Sequence, residues 1–246
     1  MCTIGSIKIN GRIFIFKNRD KIHREEEIVE RIKSCIFIKS KNSGRIAAGL
    51  NKHEVAFVRA EIVSAGVIKA IYENSFNPLS LKNNDQINVA EMIMPTFDQF
   101  KNAFEVISFI QKSNLNLEPS NVILTDKNRS FSLEVENQRI DIKEVFNTIC
   151  KTNHFSQLDF GPQCYAEYPS SFERLKCANA SITTISNINE LKKMLSSHEN
   201  VNPDFNVCRH YISSTISSFI INTNNKSVEY CKSSPCKGEY TPFQLE

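Results

Sequence analysis

Tryptophan is absent from the 246 residues, and glycine and proline are scarce, at 7 and 8. So little of either excludes collagen-like and low-complexity readings. No stretch approaches the ~18–20 successive apolar residues that span a bilayer. The opening Met-Cys-Thr-Ile-Gly-Ser-Ile-Lys lacks the continuous apolar core of a secretory signal. Charge of one sign is also in short supply. The 30 Lys and Arg against 27 Asp and Glu leave a net +3, too little by itself to imply nucleic acid or an anionic membrane. Without a Gly-rich phosphate loop or a basic-aromatic array, neither nucleotide nor nucleic acid is expected as a partner, and no membrane. The eight cysteines (2, 35, 150, 164, 177, 208, 231 and 236) contain no CxxC pair, so reduced thiols in a cytoplasmic chain are the default. No resolving cysteine follows Cys2, which leaves thiol-redox chemistry without a partner. Cys208-x-His210 and Cys231-x4-Cys236 come nearest to a zinc set. A strand hairpin separates them and the spacing is unmatched, so no metal and no cofactor are expected.

What is present is ordinary globular composition, 41% hydrophobic and 23% charged, in a length that suits a single domain over 1–246. The chain opens as a hairpin. Ile7 and Ile9 alternate with polar residues, Asn10-Gly11 supplies a two-residue turn, and Ile13 and Ile15 resume the alternation. That turn fixes a register with Cys2 opposite Arg19 and Ile4 opposite Lys17, all four side chains on one face. Strand-like runs follow at 34–39, 45–50 and 54–63, then a helical stretch at 64–73 and a polar loop at 74–84. Thr96-Phe-Asp-Gln99 fits a capping box and predicts a helix with Phe100, Phe104, Ile107 and Ile110 as its apolar stripe. Strands return at 121–125, 130–136, 139–142 and 145–151, helices at 170–180 and 187–196, and a closing hairpin at 215–221 and 226–232. Blocks of strands and helices in this order do not alternate as a Rossmann fold requires, and predict an α+β class with antiparallel sheets. His23-Arg24-Glu25-Glu26-Glu27 reads as a solvated charged loop.

Cys2 is the sharpest chemical feature. Removing Met1 leaves a thiol and a free α-amine on one residue, with ordinary pKa values of about 8.5 and 7.7–8. The amine then serves as general base and the thiol as nucleophile without an external histidine. Met-Cys alone occurs by chance, but the register brings Lys17-Asn18-Arg19-Asp20 beside it. Cations there favour thiolate, and a carboxylate orients the amine.

Met-Cys-Thr, the cluster at 17–20, Gly49-Leu50-Asn51, Thr152-Asn153-His154-Phe155 and Ser170-Ser171-Phe172-Glu173-Arg174 occur in an order that resembles the cysteine N-terminal nucleophile (Ntn) hydrolases. Cys208-Arg209-His210, Thr215-Ile-Ser-Ser218 and Ser234-Pro-Cys-Lys-Gly-Glu-Tyr240 extend the likeness over nearly the whole chain. Within that group the chain is most similar to the penicillin acyltransferase-like family, and more distantly to the choloylglycine hydrolases. The resemblance implies a four-layer αββα sandwich and cleavage or transfer of acyl groups at amide bonds through a thioester. It makes Cys2 the nucleophile, Asp20 the holder of its amine, Asn153 an oxyanion donor and Arg174 a site arginine. Lys17 stands where choloylglycine hydrolases carry arginine, and the register lets Arg19 take that part, so the site cation stays open among Lys17, Arg19 and Arg174. Their second oxyanion asparagine falls near Glu61, which cannot donate when ionised. The implied partner is a small-molecule amide or acyl donor, with self-association left open. The competing reading is a non-catalytic interaction or regulatory protein on the same scaffold.

Overall fold

The computed structural model describes residues 1–22, 25–62, 85–158 and 168–246. The helix and loop expected at 64–73 and 74–84 lie outside the described residues, as do His23, Arg24 and Cys164.

β1 (Cys2–Ile9) and β2 (Arg12–Lys21) pair with Cys2 opposite Arg19 and Ile4 opposite Lys17, the register expected from the turn. Asn10 and Gly11 both take positive φ, 50° and 78°, as a tight hairpin turn demands. β3 (Glu27–Ile32), β4 (Cys35–Ser40), β5 (Ile46–Asn51) and β6 (Ala56–Glu61) follow, and then β7 (Leu117–Thr125), β8 (Ser130–Asn137), β9 (Arg139–Val145) and β10 (Thr148–Lys151). The carboxy-terminal strands are β11 (Ser214–Asn222), β12 (Ser227–Cys231) and β13 (Thr241–Gln244). The described strands form two antiparallel sheets, one ordered β10-β1-β2-β11-β12-β13 and the other running β3 through β9 in sequence.

The sheets stack face to face. Ile4, Ile15, Phe219 and Val228 of one interleave with Ile36, Ile38, Leu50, Val58 and Ile123 of the other, all buried. Each such apolar side chain contributes about 1.5–3 kcal/mol when fully removed from water. Outside the second sheet lie α1 (Val89–Ile93), a 3-10 turn over Met94–Gln99 and α2 (Ala103–Lys112); outside the first lie α3 (Pro169–Ile182) and α4 (Ile188–Leu195). The result is the expected α+β sandwich of four layers, αββα.

Two expectations need correcting. The helix does not open at Thr96-Phe-Asp-Gln99, which is the 3-10 turn. Asn102 is the cap of α2, accepting from Glu105 N at 3.1 Å, while Glu105 reaches back to Lys101 N at 2.7 Å. Two cap signals compete over these residues, and the second leaves Phe104 half exposed while Ala103, Val106, Ile107 and Ile110 face the core. The charged run ending at Glu27 is not all solvated either. Glu27 is buried at the start of β3, accepting from Arg19 and from Ser217 Oγ, because β3 lies across the cleft from β2.

Candidate active site

Strand alternation gives the end of the first hairpin two chemically different sides. Cys2, Lys17 and Arg19 face the gap between the sheets, whereas Thr3 and Asp20 face Arg174 of α3 and Asn18 reaches the end of α4, donating to the Leu195 carbonyl at 2.7 Å. The gap opens as a small cleft whose lining includes Cys2, Lys17, Arg19, Arg45, Arg59 and Glu61.

On the cleft side, Lys17 is buried, its Nζ donating to the Arg59 carbonyl at 2.6 Å. Burial pushes the Cys2 thiol up, but the Lys17 ammonium, the terminal amine and Arg19 outweigh it and hold the thiol below its ordinary value. Burial in turn drives Lys17 down to about 8, against the pull of Cys2. Arg19 lies opposite Cys2 in the same cleft. Its guanidinium is engaged by Glu27, by Ser40 Oγ at 2.7 Å and by Glu25 at 3.3 Å. At the rim, burial raises the Glu61 carboxyl, but Arg45 and Arg59 reverse this and hold it at about 2. Glu61 is therefore ionised.

On the helix side, Arg174 is fully buried and joins the other sequence-predicted residues. Its Nη1 donates to the Cys2 carbonyl at 2.8 Å and to Asp20 Oδ2 at 3.4 Å, and its Nη2 to Asn153 Oδ1 at 2.9 Å. Asn153 Oδ1 also accepts from Cys2 N at 2.7 Å. With Oδ1 taken by two donors, Nδ2 turns toward the cleft wall and donates to the Glu61 carbonyl at 2.5 Å. An amide NH₂ has two hydrogens, so one stays available. Asp20 Oδ1 accepts from Thr215 Oγ1 at 2.8 Å. Met1 extends β1 by one residue, exchanging backbone hydrogen bonds with Asp20 at 2.8 Å in each direction. Burial holds its amine down at about 6.

Asn121 and Glu134, which help position this site, carry no local sequence signal. Asn121, on β7 of the opposite sheet, donates to the carbonyls of Thr152 and His154 at 2.9 Å each, gripping both sides of Asn153. From α3, Ser171 Oγ accepts from Asn153 N at 2.9 Å. Glu134 accepts the backbone N–H groups of Ser156, Gln157 and Leu158 at 2.8–2.9 Å and pairs with Lys151, fixing the loop that follows. His154 stacks on Phe172 and contacts Ser171 Oγ at 2.8 Å. Burial, with Arg174 and Lys151, lowers it to about 4, so it is neutral and serves packing. Arg209 sits 3.8 Å from Asp20 Oδ2 and donates to Asp204 at 2.7 Å. The motif Cys208-Arg209-His210 was visible in the sequence, but not this reach.

Among the described residues, the side chains able to hold a metal converge elsewhere, at His198, Cys208, His210 and Cys236. The hairpin expected to keep Cys208 and Cys236 apart folds back on itself and brings them together. Cys231 stays out of the group, its Sγ turned to the Ser233 carbonyl.

The fold is similar to that of a Caenorhabditis elegans ortholog of N-acylethanolamine-hydrolyzing acid amidase, with a TM-score of 0.60, 9% identity and both chains covered in full. A conjugated bile acid hydrolase from Clostridium perfringens matches over 100% of this chain and 97% of its own, with a TM-score of 0.57 and 10% identity. Penicillin V acylase from Agrobacterium tumefaciens matches over 100% and 86%, with a TM-score of 0.57 and 13% identity. No protein-family model and no curated protein matches the sequence. At such identities the likeness establishes the fold, which is the Ntn-hydrolase sandwich.

Proposed function

We propose that the protein is an N-terminal cysteine amide hydrolase or acyltransferase, with Cys2 as nucleophile once Met1 is removed. One observation carries the reading. The nitrogen of Cys2, which removal of Met1 turns into the α-amine, lies 2.7 Å from Asn153 Oδ1, and Arg174 ties Asn153, the Cys2 carbonyl and Asp20 into one buried set. Three side chains from distant parts of the chain thus converge around one backbone nitrogen, with Asn153 contacting it directly.

The chemistry follows from these groups. The neutral α-amine takes the thiol proton, and Lys17 favours the resulting thiolate. Sulfur attacks the amide carbonyl, and the oxyanion accepts the second Asn153 Nδ2–H. The intermediate collapses to a thioester as the carbon–nitrogen bond breaks, the leaving amine taking the proton from the α-ammonium. Water, or an acceptor amine, then attacks the thioester carbonyl and gives a proton to the α-amine. The tetrahedral intermediate expels the sulfur, which regains its proton. Asp20 and Arg174 keep residue 2 in place throughout. While Met1 remains, the Cys2 nitrogen is an amide without base strength, so the unprocessed chain is inert. The implied substrate is a small-molecule amide or acyl donor, whose carbonyl has to reach Cys2 through this cleft. The thiol has to stay reduced, which favours a cytoplasmic setting.

Intact mass spectrometry of protein quenched during turnover of an amide panel is the test. The expected result is an acyl adduct on residue 2 in chains lacking Met1, abolished by Cys2→Ala. Full turnover by Cys2→Ala, or by a Met1-retaining form, refutes the assignment. A processed, folded protein that takes no acyl adduct from the panel or an acylating probe supports the non-catalytic alternative.

A further inference from the structure

His198, Cys208, His210 and Cys236 come from three separate segments: the exit of α4, the approach to β11 and the turn between β12 and β13. Their ligand atoms all lie within 4.8 Å of one another. Cys208 Sγ is 3.6 Å from Cys236 Sγ and 3.5 Å from His210 Nε2, and His210 Nε2 is 3.1 Å from Cys236 Sγ. The rings of His198 and His210 lie side by side, with centroids 5.0 Å apart and planes 23° from parallel. A tetrahedral zinc with Zn–S of about 2.3 Å and Zn–N of about 2.0–2.1 Å needs edges of roughly 3.8 Å between sulfurs and 3.5 Å between sulfur and nitrogen. The Cys208–Cys236 and Cys208–His210 separations fall close to those edges, His210–Cys236 is somewhat shorter, and His198 lies within 4.8 Å of the other three. The two sulfurs are well beyond the ~2.05 Å of a disulfide.

We propose that His198, Cys208, His210 and Cys236 form a closed Cys2His2 site for a structural zinc ion, apart from the Cys2 cleft. Two thiolates and two neutral imidazoles satisfy a tetrahedral zinc with no position left for substrate, and this donor set favours zinc over the harder divalent ions. Binding displaces the two thiol protons, and the two thiolates balance the ion's charge. Cys208 is buried, whereas His198, His210 and Cys236 are exposed, so the ion enters from solvent.

The site has a structural consequence. The turn carrying Cys236 is already tied to β11, with Ser234 Oγ donating to the Thr215 carbonyl at 2.6 Å, and Cys208 N bonds the Ser197 carbonyl at 3.2 Å. Arg209 lies between two of the ligands, so an ion there clamps the backbone on both sides of it. Its guanidinium is thereby held against Asp20 and Asp204.

The test is metal content by elemental mass spectrometry, on tag-free protein purified under reducing conditions. About one zinc per chain is expected, as a closed four-ligand site requires. Cys236→Ser and His198→Asn lose it, while Cys177→Ser, outside the set, retains it. Should those variants misfold, cobalt(II) added to chelator-stripped wild type provides the second measurement. Intense tetrahedral d–d bands and a thiolate charge-transfer band support the proposal, as does recovery of Tm on adding zinc back. Metal-free wild type with no tetrahedral cobalt spectrum overturns it. So does a Cys208–Cys236 disulfide in protein isolated without reductant, if reduction restores no zinc or cobalt binding.

Discussion

Replacing Arg174 by lysine keeps the positive charge and removes the planar fork. In the structure that fork joins the Cys2 carbonyl at 2.8 Å and Asn153 Oδ1 at 2.9 Å, with Thr3 Oγ1 at 3.2 Å and Asp20 Oδ2 at 3.4 Å farther out. A shorter side chain ending in one ammonium retains the attraction to Asp20 but not both near contacts. A hydrogen bond to a charged group is worth about 1.5–3 kcal/mol, so losing one or two of them costs about 3 kcal/mol. In a chain of this size each kcal/mol lowers Tm by about 2–4 °C, which gives an expected fall of about 6–12 °C for Arg174→Lys. Catalysis falls further than stability. Asn153 loses one of the two donors that fix its Oδ1, and a shift of about 1 Å at a reacting group costs on the order of 10²-fold in rate. Calorimetry and steady-state kinetics on the same preparation check both, with kcat reduced more than KM is raised. A variant melting within about 2 °C of wild type and turning over at an unchanged rate refutes the view that Arg174 organises residue 2.

Three further outcomes follow from the same geometry. Burial depresses Lys17 to about 8, and the base is the α-amine that removal of Met1 creates on Cys2. The base must be neutral and Lys17 charged, so kcat/KM falls as pH drops through the amine pKa and again as pH rises through that of Lys17; a profile flat from about pH 5 to 9 contradicts this. Lys17→Met removes the strongest cationic influence on Cys2, so the pH at which Cys2 reacts with iodoacetamide moves upward, and an unmoved profile counts against Lys17 as the thiolate's support. Asn121→Leu strips the Thr152 and His154 carbonyls of their donor at about 1–3 kcal/mol each, lowering Tm and kcat together, although the residue lies on the opposite sheet from Cys2. Unchanged kcat in that variant shows that Ser171 and Glu134 hold Asn153 without it.

The residues that were legible in sequence are those whose placement is decided locally. Asn10-Gly11 admits one turn geometry, and period-2 alternation admits one register, so Cys2 opposite Arg19 followed without knowledge of the rest of the chain. The start of α2 was misread because two capping signals lie close together, and packing of Phe97 and Phe100 against the second sheet decides between them. Asn121 and Glu134 reach partners 17 to 33 positions away, and Arg209 reaches Asp20 near the other end of the chain; nothing in their neighbours announces it. Glu134 reads as one more acidic residue on an alternating strand; of its five donors, Lys151 comes from β10 and the other four from a loop with no periodicity. The zinc set failed on spacing for a related reason. Spacing rules describe ligands on one or two local turns, whereas His198, Cys208, His210 and Cys236 meet only after α4, β11 and β12 have packed.

The buried charges on the helix side of the hairpin are hard to explain by stability alone. Asp20 faces Arg174 at 3.4 Å and Arg209 at 3.8 Å with no exposure of any of the three side chains. Well-packed apolar replacements of such groups are often neutral or stabilising, because desolvation offsets most of the attraction. What the charges provide instead is direction. Arg174 points its donors at the carbonyl of residue 2 and at the side chain that accepts from its nitrogen, and Asp20 fixes Arg174 from the other side. An apolar cluster of equal volume would support the sheet but would leave the nitrogen of residue 2 free to rotate once Met1 is gone. The arrangement is therefore best understood as holding a chain terminus, the least constrained part of a polypeptide, in one orientation within a packed core. On the proposed chemistry, that orientation is what lets a single residue act as both nucleophile and base.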